Sequence, residues 1–418
     1  MIMFVSLMQK QKRGFTKMKK GLLLLIPTLT LLLGACNAKK EDEEVKSQVP
    51  TLKGVEEAKA YFTNNPYEIL NQVTAYDEQD GDLTKNIEYS VLPFSEILQG
   101  DIFVPKTAGT YYIYYKVSDS DGNVAKAMTT LSVYNKPSEV PEVLPKFVRS
   151  DKKAQVILMI GQSNMEGWSH SKYVKENLGE EAYNTYNNGA PNVKIAFCKT
   201  NSRGTFGNVR FGLGVESDRF GPEVAIAQKL KENSDEDYYL VKYAVGGTNL
   251  AEQWAAPSGG FTGVHYQGTV DYLNLALLNL IQEGIDFEIP AIVWMQGNSD
   301  CGNSTWVNYY YRNEKRLVAD LRKLLNGMSV DRGIEFIDTL VTDLGSGSAT
   351  GDNLLIDEAK IRNMNEDELG MIVDTRDCGL VKTREPVENP DTPHYDSTSE
   401  IRLGEMMGDA LLTTLSLR

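Results

Sequence analysis

Val156-Ile157-Leu158-Met159-Ile160-Gly161 runs directly into Gln162-Ser163-Asn164-Met165. Five apolar residues in a row leave no face for water, which is the pattern of a strand buried on both sides in a parallel sheet. Two further stretches have the same form. Tyr239-Leu240-Val241-Lys242-Tyr243-Ala244-Val245 ends in Gly246-Gly247, and Ile289-Pro290-Ala291-Ile292-Val293-Trp294-Met295 passes through Gln296 to Gly297. Helical patterns lie between and after them. Pro222, at a favourable first-turn position, opens Glu223 to Leu230, and Val270 to Ile281 and Trp306 to Leu325 repeat apolar residues at spacings of three and four. Strands alternating with helices predict an α/β fold over residues 150–418, a three-layer α/β/α sandwich around a parallel sheet. Ligands of such sheets sit outside the carboxyl ends of the strands. Each of the three runs reaches a glycine-bearing loop at that end, so the loops are expected around one crevice.

Upstream the texture changes. Ala108-Gly109-Thr110 introduces the aromatic run Tyr111 to Val117, Asp121-Gly122 turns the chain, and Val124 to Val133 returns it, a strong hairpin signal. Together with the acidic opening Thr74 to Asp82, residues 51–135 resemble a small all-β immunoglobulin-like sandwich of bacterial surface proteins, which implies spacing or weak glycan adhesion. The acidic cluster Asp77 to Asp82 lacks the ordered ligand spacing of calcium loops and reads as a solvated turn. Residues 136–149, with Pro137, Pro141 and Pro145, read as a linker, and 37–50 as a charged tether. Lys17, Lys19 and Lys20 precede the short apolar run Leu22 to Leu33, the order of a secretory signal and too short for a comfortable span. Leu33-Gly34-Ala35-Cys36 resembles the bacterial lipobox, so residues 1–36 are expected to be a lipoprotein signal with acyl chains on Cys36. That implies a protein held on the extracellular face of a membrane, anchored and not threaded through it. The segment before Cys36 carries six Lys or Arg and no acid, so its loss lowers the positive count from 43 to 37 against 57 acidic residues, a net of −20. Such a surface excludes nucleic acid and anionic lipid as partners of a basic patch. Cys198, Cys301 and Cys378 are too few and too dispersed for a disulfide framework or a zinc spacing, and permit one disulfide whose pairing stays open.

A serine just beyond a buried strand faces the crevice, but a hydroxyl needs a base to become a nucleophile. The chain holds three histidines, His170, His265 and His394. His394 closes Asp391-Thr392-Pro393-His394, where an acid three residues earlier can reach Nδ1 and leave Nε2 for the serine. Ser397 and Glu400 have capping-box spacing and mark a final helix. His170 is near the Ser163 loop but has no acid in such a turn, and His265, in a glycine-rich loop, is expected at the rim. A developing oxyanion needs donors. Gly246-Gly247-Thr248 can offer backbone N–H groups, and Gln296 or Asn298 an amide. Three histidines in unrelated loops have no metal-ligand spacing, and no metal or organic cofactor is expected.

Gly161-Gln162-Ser163-Asn164-Met165, Phe220-Gly221-Pro222-Glu223, Val245-Gly246-Gly247-Thr248-Asn249-Leu250, Trp294-Met295-Gln296-Gly297-Asn298-Ser299-Asp300 and Asp391-Thr392-Pro393-His394 occur in this order. Together they resemble the SGNH hydrolases, with their flavodoxin-like sheet, and within them the sialate O-acetylesterase and acetylxylan esterase branch. The resemblance implies Ser163 as nucleophile, His394 as base and Asp391 as its orienting acid. It implies an oxyanion hole from the Ser163 and Gly247 N–H groups and an amide of Gln296 or Asn298. Gln162, Asn164, Glu223 and Trp254 are the substrate-binding candidates, with a core position as the other reading of Trp254, and the resemblance implies an acetylated glycan as substrate. The branch usually has Glu where this chain has Asn298, which leaves Asp391 as the sole acid for His394. Two other readings stay open. One keeps the fold for a lipase, thioesterase or peptidoglycan O-acetylesterase, against which the polar loop Asn201 to Arg219 and an aromatic platform at Trp254 favour a sugar. The other is a non-catalytic glycan-binding lipoprotein.

Overall fold

Val156, Leu158 and Ile160 belong to one hydrophobic core and Ile157 and Met159 to another, because alternate residues of one strand face opposite sides of a sheet. The computed structural model describes residues 48–94, 98–148, 150, 152–342, 351–382 and 384–417. The expected signal, Cys36 and nearly all of the tether lie outside the described residues. Among the described residues no helix is long and apolar enough to cross a membrane.

The large sheet has seven strands in the order Gly207–Asn208, Val193–Phe197, Asp237–Ala244, Lys153–Gly161, Asp286–Met295, Glu335–Thr339 and Gly370–Val373. The last six run parallel, and the short edge strand pairs antiparallel with Val193–Phe197. Helices Val264–Gln282 and Ser304–Leu325 cover one face, and Glu223–Asn233 and Ser397–Ser416 the other. The chain leaves Lys153–Gly161 toward one side of the sheet and later crosses to the other. The loop after this strand, with Ser163 in it, therefore stands at the point where neighbouring connections diverge and a crevice opens.

Three of the six parallel strands escape the apolar-run reading, and Glu335–Thr339 explains why. Its Glu335 and Asp338, on opposite faces of the strand, break the apolar run, yet both are buried. Lys360 reaches Asp338 at 2.5 Å, and Arg332 lies 3.6 Å from Glu335. The final helix begins at Ser397 as expected, but without a capping box. The Ser397 N–H and hydroxyl both donate to Glu385, at 2.7 and 2.8 Å, and Glu400 is buried one turn on. Cys198, Cys301 and Cys378 are free thiols, so the permitted disulfide does not form among them.

Residues 51–134 are built from strands. Val124–Tyr134 pairs antiparallel with Gly109–Ser118 across the Asp-Gly turn, in a four-stranded sheet that also holds Ala58–Phe62 and Glu88–Leu92. Two three-stranded sheets complete this part. In the acidic turn the Asp77 carboxylate accepts the N–H groups of Gln79 and Asp80, at 2.7 and 3.0 Å.

Residues Ser47–Arg418 make one compact unit, and the β-rich part shares a core with the α/β part. Leu92, Phe94 and Tyr114 pack in the same cluster as Ala154, Phe287 and Met328. Polar groups seal the junction. Ser90 Oγ donates to the Leu324 carbonyl at 2.8 Å and accepts the Gly327 N–H at 3.0 Å. Buried Lys116, its ammonium pKa pushed down by burial, donates to Ser329 Oγ at 2.8 Å and to the Val330 carbonyl at 3.0 Å. The expected linker is tied as well, through Lys146 to Glu57 at 2.7 Å and the Phe147 N–H to Thr130 Oγ1 at 3.1 Å. At Gly327 a Cβ would stand 2.4 Å from the Ser90 nitrogen and 2.7 Å from the Tyr114 carbonyl oxygen.

Gly327→Ala is therefore expected to lower stability by about 1–3 kcal/mol, the usual cost of overpacking, and to leave one cooperative transition in calorimetry of the whole chain. Two separate transitions in the parent protein would contradict a shared core.

Candidate active site

Gly161 ends the first buried strand with φ +152°, and a Cβ there would come within 2.1 Å of the Met295 carbonyl oxygen. Glycine lets the chain turn hard against the neighbouring strand, and Ser163 opens the short helix Ser163–Glu166. Ser163, Gly246, Gly247, Asn298 and His394 line one cleft of about 610 Å³, joined by Trp168, Lys199 and Lys382. His394 Nδ1 is 2.8 Å from Asp391 Oδ2, the bond expected from their spacing. The Ser163 and Gly247 N–H groups and the Asn298 amide have no hydrogen-bond partner among the described residues, so each remains a donor to whatever fills the cleft. Gly246 packs close to the serine: a Cβ added there would lie 3.4 Å from Ser163 Cβ.

The other two histidines are placed differently from expectation. His170 has an acid partner after all, Asp218 Oδ2 at 3.0 Å from its Nδ1, brought across by the short antiparallel pair Ser169–His170 and Arg219–Phe220. This second His–Asp pair does not line the Ser163 cleft. His265 is not at the rim. It packs against Trp254 and Tyr243, and burial pushes its pKa down.

Four other expected contacts with a ligand are spent inside the protein. Gln296 is fully buried; its Nε2 donates to the Thr248 carbonyl at 2.8 Å and to Asp300 Oδ2 at 2.6 Å. Both amide hydrogens are thus used, and of the two oxyanion-amide candidates Asn298 is the one that lines the cleft. Gln162 is at the cleft, but its Oε1 accepts the Gly297 and Ser299 N–H groups at 3.1 and 3.3 Å, tying the Ser163 loop to the Asn298 loop. Glu223 is buried against Lys242, 2.6 Å away, and is not in the cleft. Trp254 is no platform: it is fully buried and donates from Nε1 to Thr248 Oγ1 at 2.8 Å. Asn164, also expected to touch substrate, is buried and does not line the cleft.

Sequence reading missed Glu166, which sits beneath the whole arrangement. Its buried carboxylate accepts the Gly246 N–H at 3.0 Å and Trp168 Nε1 at 3.0 Å, and pairs with Lys199. The Trp168 ring in turn stacks on His394 with centroids 4.4 Å apart and planes 16° from parallel. Ser169 Oγ donates to the Tyr395 carbonyl at 2.6 Å, holding this strand beside the His394 loop. One carboxylate therefore links the serine helix, the Gly246 turn and the surface on which the imidazole rests. Its position three residues after Ser163 was the available signal; its partners come from distant loops.

Residues 153–413 match the family described as carbohydrate esterase, sialic acid-specific acetylesterase. No curated protein sequence matches the chain significantly. Among solved structures, a protein from Arabidopsis thaliana is 19% identical with a TM-score of 0.47, over 62% of this chain and 98% of that one. NanS is 14% identical with a TM-score of 0.47, over 65% of this chain and 100% of its own. A carbohydrate acetylesterase from Xanthomonas citri is 14% identical with a TM-score of 0.40, over 85% and 73%.

Glu166→Gln removes the charge facing Lys199 and weakens the hold on Gly246 and Trp168. Turnover of a small acetyl ester is expected to fall about 10- to 100-fold with KM within about twofold, since misplacing a reacting group by an ångström costs on that order. An unchanged kcat would remove Glu166 from the positioning role. Lys242→Met, which strands buried Glu223, is expected to cost about 3–5 kcal/mol in denaturant unfolding, and Glu223→Leu with Lys242→Met to recover most of it.

Proposed function

The chain belongs to the sialic acid-specific acetylesterase family of carbohydrate esterases, and from that premise we propose that it is a serine esterase of SGNH type that removes O-acetyl groups from glycans with Ser163, His394 and Asp391. One observation carries this reading: a serine, an Asp-bound histidine and three donors without a partner among the described residues line a single cleft at the carboxyl end of the central strand.

Ser163 Oγ attacks the ester carbonyl carbon as His394 Nε2 takes its proton. Asp391, on Nδ1, holds the tautomer and offsets the imidazolium charge. The oxyanion accepts hydrogen bonds from the Ser163 and Gly247 N–H groups and the Asn298 amide. As the tetrahedral species collapses, the sugar oxygen leaves with the proton from His394, and acetyl-Ser163 remains. Water then attacks that ester while His394 accepts its proton and returns it to Ser163 Oγ, releasing acetate. Asn298, where the branch usually has Glu, offers an uncharged amide at the cleft. The lipobox-like Leu33-Gly34-Ala35-Cys36 supports a place for this activity on the outer face of a bacterial membrane.

Acetate release from acetylated xylan, O-acetyl sialic acid and 4-nitrophenyl acetate tests the reading. Ser163→Ala is expected to lose at least about 10³-fold in kcat on every substrate that reacts. Asn298→Ala should lose about 10²–10³-fold, the worth of one oxyanion donor. Activity confined to the small ester would turn the substrate toward lipid or peptidoglycan esters, and no release by a folded protein would favour a glycan-binding lipoprotein.

A further inference from the structure

A second groove, of about 550 Å³, lies beside the cleft along the loops that form it. One wall, Ala251 and Glu252, begins four residues after Gly247, at most about 14 Å of extended chain. The other, on helix Ser304–Leu325, starts at Thr305, six residues after Ser299 of the cleft. Between the two hollows, buried Asp300 clamps the loops together. Its carboxylate accepts the Leu250 N–H at 2.9 Å and the Ala251 N–H at 3.3 Å. The groove and the cleft are thus held in a fixed relation.

The lining is chemically specific. Three aromatic residues are exposed among the described residues, and two of them, Phe261 at 54% and Tyr309 at 47%, line this groove. Trp306 joins them, and Trp306, Tyr309, Arg312 and Arg316 recur at spacings of three and four on one side of the helix. Asn303 caps that helix by accepting the Thr305 and Trp306 N–H groups at 3.1 and 3.2 Å, so the side chains start from a fixed backbone. The Arg312 guanidinium lies over the Tyr309 ring, 4.4 Å from its centroid. No ion pair holds Arg312 or Arg316 to a carboxylate among the described residues. In a strongly acidic chain, two unpaired guanidinium groups beside exposed rings are unlike the surrounding surface. Aromatic faces receive the C–H faces of pyranose rings, and an arginine stacked on an aromatic face keeps its N–H edge for a carboxylate. Exposed aromatic surface in a groove marks a binding site.

We propose that this groove is a subsite for the sugars next to the acetylated residue, in a glycan chain whose sugars carry carboxylates. The inference rests on the glycan-esterase reading above and extends it from one acetylated sugar to a chain.

The test compares the parent protein with Phe261→Ala and with Arg312→Ala/Arg316→Ala, all at exposed or half-buried positions. Acetate release is measured on 4-nitrophenyl acetate, O-acetyl sialic acid, O-acetylated oligosialic acid and acetylated xylan. On the acidic oligomer kcat/KM is expected to fall at least tenfold in both variants, and to stay within twofold on the small ester and the monosaccharide. On xylan, Phe261→Ala should lose activity and the arginine variant should not. Unchanged oligomer activity overturns the subsite, as does an equal loss on the small ester; an equal arginine effect on xylan overturns the preference for carboxylates. Should the parent hydrolyse the small ester but no glycan, the glycan part of the esterase reading fails separately. The groove is then judged by calorimetric binding of unacetylated oligosialic acid to Ser163→Ala. A tenfold weaker Kd on adding Phe261→Ala supports it, and an equal Kd overturns it.

Discussion

A carboxylate cannot stay buried without partners, and Glu166 is almost completely removed from water one turn after the serine. It meets that demand with a lysine, an indole N–H and a backbone N–H taken from separate parts of the chain. Satisfying one charge thereby sets the distance between Ser163 and the Gly246 turn and fixes the ring against which His394 stacks. The same logic repeats around the cleft. Gln162 holds the Gly297 loop, Gln296 holds Thr248 and Asp300, and Asp300 holds Leu250. Burial pushes the Asp300 pKa up, while the N–H groups around it favour its ionised form. The loops at the carboxyl ends of three strands are cross-braced by buried polar side chains, so the cleft is preorganised without a ligand.

Deeper in the protein, charge is buried where periodicity would place apolar residues. Lys242 interrupts an otherwise apolar strand and faces Glu223. Burial and the Glu223 charge together push the Glu400 pKa well up. On the other face Lys360 lies between Asp338 and Glu314, at 2.5 and 3.6 Å, and the two carboxylates raise its pKa against the effect of burial. Breaking such a pair costs far more than making it contributes, so these groups constrain the packing more than they stabilise it.

The β-rich part stands in a similar relation to the α/β part. Its hairpin strand supplies Tyr114 to the core on one face of the large sheet, and Ser90 and Lys116 satisfy backbone groups around residues 324–330. A chain segment whose texture suggests a spacer is part of the support beneath the esterase.

The sequence by itself determined what is local or periodic. Apolar runs marked the central strands, helical spacing marked the helices that cover them, and Ser163 followed from its place after the first buried run. Asp391 and His394, three residues apart on a proline turn, declared their bond without a fold. Tertiary structure decided which polar groups remain available. Gln296 and Asn298 look alike as donors, and only packing shows that Gln296 has spent both hydrogens while Asn298 faces the cleft. It also moved Glu223 and Trp254 from expected ligand contacts into the interior, and brought Glu166, Trp168 and Lys199 to the site. The reason is that periodicity reports burial, a property of the side chain and its near neighbours. A hydrogen bond instead depends on partners that are tens of residues away until the chain folds.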